Sequence, residues 1–254
     1  MNTQFKYKNL LNVFCFFLFV SLLNSCATNT YPFSFYLDES SFKKDNGKVA
    51  IMPMNYYGDN SISHYKEFTK LIEDSIVVNL KKIGFEVICT KELTTTIDSI
   101  KLSCGNLYNP INGEPDSIAF IKFKIATNNY IFQKYKTSFI LYPSMLFTEA
   151  VMNNSRISWH GRRVYNYFYR GLYGKFPALS LYIKVYNDKS NILFVNAGGI
   201  MPLFRLNFRT GMIQSIPFDE LIFDPKDVEK SIKTSLKPID VENKFGSKRK
   251  KFNY

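Results

Sequence analysis

The chain is poor in the residues from which catalytic and metal centres are usually built. Two histidines, His64 and His160, stand far apart in 254 residues, and no two cysteines are close. A zinc site takes closely spaced Cys, His or carboxylate ligands, so no metal and no cofactor is expected. There is no G-x-x-x-x-G-K-[ST] phosphate loop; Gly47-Lys48 is isolated. There is no G-x-G-x-x-G fingerprint either, and Ala197-Gly198-Gly199 reads as the end or the bulge of a strand. Without a G-x-S-x-G elbow, nucleophilic catalysis has no local anchor. The carboxylates are scattered, so spacing alone pairs none of them for acid–base work. Acidic residues are also outnumbered, 21 against 33 basic ones, for a formal net charge of +12.

No apolar run is long enough to cross a bilayer. The longest, residues 10–23, would span about 20 Å as a helix against a hydrocarbon core of about 30 Å. Lys6 and Lys8 precede it and small residues follow, the order of a signal peptide. The next four residues are Leu23-Asn24-Ser25-Cys26. They resemble the lipobox of bacterial lipoproteins, an aliphatic residue, two small or polar ones, and the Cys that takes the lipid. The resemblance implies cleavage between Ser25 and Cys26 and a membrane anchor on Cys26. Ordinary signal cleavage after Ala27, or no cleavage, are the alternatives. No Asp follows Cys26; in a double-membraned cell the resemblance then implies the outer membrane. Removing Lys6 and Lys8 leaves the mature chain at 12 − 2 = +10.

With Cys15 in the signal and Cys26 lipidated, Cys89 and Cys104 remain. In an oxidising compartment they could form a disulfide closing a short loop, worth up to about 3 kcal/mol. The alternative is two thiols packed as small hydrophobes.

The expected organisation is a signal peptide at 1–25, a lipidated tether at 26–47, one α/β domain at 48–240 and a basic tail at 241–254. Residues 48–54 read as a buried strand. Tyr65, Phe68, Ile72, Ile76, Leu80 and Ile83 follow at steps of three and four, one stripe of a helix. Gly84 suits its left-handed stop, and residues 85–89 give a second strand. Together these predict a parallel βαβ unit. A weaker helix is expected over 91–100, a loop over 105–115, and a third strand over 117–125. Residues 179–186 and 192–200 flank Asn187-Asp188-Lys189-Ser190-Asn191 as a hairpin. Asp224-Pro225 opens a last helix with the stripe Val228, Ile232 and Leu236. The fold class expected is thus a mixed β-sheet with helices packed on it.

The stretch Lys48-Val49-Ala50-Ile51-Met52-Pro53, the helix after it and Gly84-Phe85-Glu86-Val87-Ile88 resemble the opening of a group of envelope lipoprotein domains. That group includes the amino-terminal domain of TolB, the curli-secretion lipoprotein CsgG and lipoprotein activators of penicillin-binding proteins. Glu114-Pro115-Asp116-Ser117-Ile118, the hairpin and the last helix fall where the group has its next strand, its turn and its closing helix. The likeness spans about 48–125 and 178–238, with an aromatic–basic insertion at about 130–177. It implies a protein that binds, scaffolds or secretes, with no catalytic residues to transfer.

The insertion continues into the most unusual composition of the chain. Residues 151–187 hold Arg156, Arg162, Arg163, Arg170, Lys175 and Lys184 and no acidic residue, interleaved with Trp159 and many Tyr and Phe. Arg favours phosphate oxygens, and Trp and Tyr settle at membrane interfaces. Arg156, Arg162, Arg163, Arg170, Lys175 and Trp159 are therefore candidate contacts to an anionic surface. The alternative is a hairpin whose aromatics face the core. Export argues against nucleic acid. The expected partners are membrane lipid through Cys26 and an envelope protein or a second copy of the chain. The expected role is binding or scaffolding in an envelope complex, with a hydrolase acting on peptidoglycan or polysaccharide as the alternative.

Overall fold

The computed structural model describes residues 47–56, 66–110, 112–114, 116–217, 220–237 and 239. Ser25, Cys26, the tether up to residue 46, His64 and the basic tail lie outside them.

Strand β1 (Lys48–Ile51) is followed by a two-residue strand β2 (Asn55–Tyr56), helix α1 (Lys66–Ile83) and strand β3 (Glu86–Ile88). β1 and β3 pair in parallel, Val49 opposite Val87, so the βαβ start is present. Phe68, Ile72, Ile76 and Leu80 of α1 are all buried on the sheet, as their spacing requires. Burying each contributes about 1.5–3 kcal/mol. The helix ends as Gly84 allows: at φ +105° its N–H reaches the Lys81 carbonyl, and the Phe85 N–H reaches that of Leu80.

Helix α2 (Thr90–Ser103) comes next, then helix α3 (Ser117–Tyr135). The strand expected over 117–125 is therefore a helix. Asp116 decides it locally, because its carboxylate accepts hydrogen bonds from the N–H groups of Ile118 and Ala119, the work of an N-cap. The alternation read at 120–125 is too short a window. The helix buries Thr127, Asn128, Ile131 and Phe132, at helical spacing in its second half, and leaves Ile118, Ile121 and Ile125 exposed in its first. The strand beside β1 is supplied instead by the start of β4 (Phe139–Asn153), with Val49 opposite Phe139 in parallel.

β4 organises the rest. On one edge its first half pairs with β1 and β2, and its end pairs with β5 (Arg156–Trp159), which pairs with β6 (Arg162–Tyr165). On its other edge it pairs along its whole length with β7 (Tyr173–Tyr186), and β7 pairs with β8 (Ile192–Pro202). The strands within residues 139–177 thus belong to the same eight-stranded mixed sheet as β1. The β7–β8 hairpin turns where expected, with the Asn187 side chain accepting from the N–H groups of Lys189 and Asn191. A small hairpin, β9 (Phe204–Leu206) and β10 (Ile213–Ser215), precedes helix α4 (Pro225–Ser235), whose N-cap is Asp224 as expected.

The core has three parts. One face of the sheet carries α1 and α4 over Val49, Leu141, Leu181 and Phe194. The opposite face carries α2 and α3 over Ala50, Met52 and Ile140. The third part, around Met152, Ile157, Trp159, Tyr169 and Phe204, fills the far end, where β4 to β7 and the β9–β10 hairpin enclose it. The paired glycines of β8 serve close approach. A Cβ on Gly198 would lie 2.1 Å from the Ser231 carbonyl oxygen of α4, and one on Gly199 2.6 Å from the Trp159 ring nitrogen. A register shift beside Gly199 provides the bulge expected there.

Candidate functional site

The far end of the sheet is built by two tight hairpins. Asn154 and Ser155 join β4 to β5, and His160 and Gly161 join β5 to β6, all four with positive φ. Two-residue loops of this kind match the right-handed twist of the strands they join. They also fix which side chains face out. Arg156 stands opposite Tyr165, and Ser158 opposite Arg163, so these four share one face. Asn153 pairs with both Arg156 and Tyr173, which extends the same face across β4 to β7.

The register divides the sequence-predicted contacts into two groups. Arg156, Arg163 and Arg170 are exposed, and among the described residues none has a carboxylate at ion-pair distance. Tyr165, Tyr167, Phe168 and Tyr173, from 65% to 88% exposed, lie among them. Trp159 and Arg162 are not surface contacts. Trp159 is buried and donates its indole N–H to the Leu179 carbonyl at 3.2 Å. Arg162 is drawn inward by Asp227 on α4, Nη2 to Oδ1 2.5 Å, and also donates to the Asp227 carbonyl. The physical reason is strand alternation: Arg162 and Arg163 are neighbours in β6 and must point to opposite faces. Lys175 is exposed, but Glu149, two strand positions before Val151, pairs with it at 3.0 Å. The acid lies just outside the window in which the sequence is purely basic.

Two members of the surface were missed in the sequence. Phe208, in the turn between β9 and β10, is exposed and meets Phe168 edge to face, ring centres 5.1 Å apart. Met212 is exposed in the same turn. The signal available was the turn itself, since Asn207 and Gly211 bracket Phe208 and Arg209, and the Asn207 side chain accepts from the Arg209 N–H. A tight polar turn holds its intervening apolar side chains out in water.

His160 is a structural group. Its Nδ1 lies 2.7 Å from the Ser180 hydroxyl, and burial pushes its pKa down. Among the described residues no cluster of Cys, His and carboxylates could hold a metal ion. Cys89 and Cys104 are both free, so the possible bridge is absent and the alternative of two separate thiols holds. They flank the 14-residue helix α2 as its two caps. A helix of that length separates its ends by about 20 Å, while a disulfide needs Cα atoms within about 7 Å.

No family model matches the chain, and no curated protein matches it in sequence. Among solved structures it is similar to the lipoprotein GNA1162 of Neisseria meningitidis, at 10% identity and a TM-score of 0.34, over 61% of this chain and 81% of that one. No helix among the described residues is long and apolar enough to cross a membrane.

Proposed function

We propose that the chain is a lipid-anchored protein of the cell envelope, held through Cys26, that works by binding within an envelope assembly or secretion complex rather than by catalysis. Its aromatic–basic end contacts an anionic surface such as a layer of lipid phosphates. The observation that carries the binding role is the strand register at β5 and β6. It sends Arg156, Arg163 and Tyr165 outward together while Ile157, Trp159 and Arg162 turn in. A soluble surface normally mixes charges of both signs and exposes few large aromatics. Here three arginines without an ion-pair partner among the described residues sit among exposed Tyr and Phe rings, chemistry suited to phosphate oxygens and an interfacial layer. The anchor rests on the Leu23–Cys26 sequence alone. In favour of binding over hydrolysis, the cleft beside α2 and α3 has Asp98 as its one carboxylate among the described lining residues. Glycoside hydrolysis takes two.

The test is flotation of the mature, unlipidated chain with anionic and with neutral vesicles. At about 1 kcal/mol for each basic residue at an anionic surface, changing Arg156, Arg163 and Arg170 together to Gln lowers affinity by about 3 kcal/mol, some two orders of magnitude. The loss shrinks with salt, because the attraction is screened over about 8 Å at physiological ionic strength. Equal flotation with both vesicle types, or an unaffected triple variant, defeats the proposal. The anchor is tested separately: Cys26→Ala abolishes incorporation of a palmitate analogue, and undiminished label would refute it.

A further inference from the structure

A second feature of the fold lies well away from the aromatic–basic end. A cleft of about 780 Å³ opens between α2, α3 and the sheet, beside Met52 and Pro53 where β1 ends. β1 is the parallel strand at which the chain changes direction. The crossover to β3 passes over one face of the sheet on α1, and the return to β4 passes over the other on α2 and α3. The crevice at the carboxyl end of such a strand is where open α/β sheets take their ligands. Its size is that of a small-molecule site.

The chemistry of the lining is specific. Apolar groups predominate, with Met52, Ile97, Phe120 and Phe123 among them. Within this setting stands the Lys124 ammonium, half-buried and, among the described residues, without a carboxylate at ion-pair distance. It donates to the Tyr186 hydroxyl, and it lies 3.8 Å from the centre of the Tyr186 ring and 5.5 Å from that of Tyr142. Neither phenol supplies a negative charge. Burial holds the pKa of both Tyr142 and Tyr186 above the usual phenol range, and Tyr142 donates its proton to the Asn128 side-chain oxygen. Among the described lining residues the other charged groups are Lys101, Lys184 and Asp98, so these side chains together carry net positive charge. A desolvated ammonium without a counter-charge costs stability. The Tyr186 hydroxyl and the two rings offset part of that cost, but they do not neutralise the charge, and a methionine of similar length would pack without the cost. An anion bound beside Lys124 would supply the counter-charge.

We propose that this cleft binds a small amphiphilic anion, its carboxylate or phosphate head against Lys124 and its apolar body against Met52, Ile97, Phe120 and Phe123. The inference is independent of the aromatic–basic surface, which lies about 35 Å farther along β4.

The test uses the whole mature chain as isolated from cells, in nanodiscs of neutral lipid, and a decanoate probe carrying a photoreactive diazirine. Peptides labelled on irradiation are mapped by mass spectrometry, with decanoate, decyl phosphate, decanol or inorganic phosphate as competitors. The expected result is label on residues 94–127, displaced by decanoate or decyl phosphate and at least tenfold less by decanol or inorganic phosphate. Whichever of the first two displaces better identifies the head group. Lys124→Met is expected to cut labelling at least tenfold while melting at the same or a higher temperature. Lys122→Met, on the exposed side of α3, leaves labelling unchanged. Label absent from the cleft, decanol competing as well as decanoate, inorganic phosphate competing as well as either amphiphile, or Lys124→Met labelling like Lys122→Met would each overturn the proposal. The competition arms need only the unaltered protein, so they decide the matter even if a variant fails to fold.

Discussion

Arg162 gives the sharpest test of how the far end of the sheet is held. Its side chain is 12% exposed and that of Asp227 27%, and the two join β6 to the first turn of α4. Removing one partner of a fully buried pair costs about 3–5 kcal/mol, whereas a surface pair is worth about 0–1 kcal/mol. This pair lies between those limits, nearer the buried one. The two partners are not equivalent. When Arg162 is lost, Asp227 keeps partial hydration and Lys230, whose ammonium is 3.9 Å away. When Asp227 is lost, the guanidinium keeps a backbone carbonyl and the Trp159 ring, 5.6 Å from its centre. Arg162→Gln is therefore expected to cost about 2 kcal/mol and Asp227→Asn about 3 kcal/mol, on the scale set by buried pairs. Urea unfolding of the mature, unlipidated chain measures both, and the double variant gives a coupling of about 1.5 kcal/mol or more. The same samples go through vesicle flotation. If Arg162→Gln leaves stability within about 0.5 kcal/mol of the parent and weakens vesicle binding as Arg163→Gln does, Arg162 faces out and the inward assignment is wrong.

Three further outcomes are expected. Gly198→Ala forces β8 and α4 apart, because its Cβ would lie 2.1 Å from a backbone oxygen; overpacking of this kind costs about 1–3 kcal/mol or more, and an unchanged melting temperature would contradict the close approach. Because burial lowers the His160 pKa, the unfolded chain binds more protons below its ordinary value of about 6.5, so stability falls as pH drops from 7 toward the folded pKa. His160→Gln removes that fall; parallel stability curves for parent and variant between pH 7 and 5 would refute it, and the opposite trend from the raised pKa of Glu73 cancels in the comparison. Cys89 and Cys104 both react with a maleimide in the folded mature protein, and a mass spectrum showing an intramolecular bridge would count against their positions at opposite ends of α2.

The sequence was most informative where one local rule acted alone. The stripe of α1, its stop at Gly84, the Asx turn of the β7–β8 hairpin and the Asp224-Pro225 cap each combine a short pattern with a single mechanism, and each was legible. It misled where two rules competed. Phe120 to Ile125 alternates as a strand would, but Asp116 caps a helix that stays free of glycine and proline for 19 residues. Tertiary structure then placed the start of β4 beside β1 in its stead. The site residues divide for a similar reason. Composition marked residues 151–187 as basic and aromatic, yet composition has no sense of face. Only the register of β5 and β6 separates Arg163 from Arg162, and that register depends on turns at Asn154-Ser155 and His160-Gly161. Nothing local in the sequence marks Lys124. Its setting is made by Tyr142 and Tyr186, distant in sequence and joined only when β4 pairs with β7.

The two ends of β4 bear on which surface the aromatic–basic face can reach. The proposed tether enters the domain at β1, whose first residue, Lys48, accepts a hydrogen bond from the Ser138 N–H at the start of β4. The exposed arginines lie at the other end, opposite Val151 to Asn153. Fourteen residues of strand separate the two, about 45 Å at the usual rise. From Cys26 to Gly47 the chain has 21 residue steps, at most about 70–75 Å if fully drawn out. Contact with the anchoring bilayer is thus sterically allowed, but it requires most of the tether to run back along the domain. A surface facing that bilayer asks nothing of the tether, and the exposed rings of Tyr167, Phe168 and Phe208 are open to it. On covalent geometry alone, the proposed anchor on Cys26 and the proposed phosphate contact at the arginine end would suit two envelope layers better than a second grip on one.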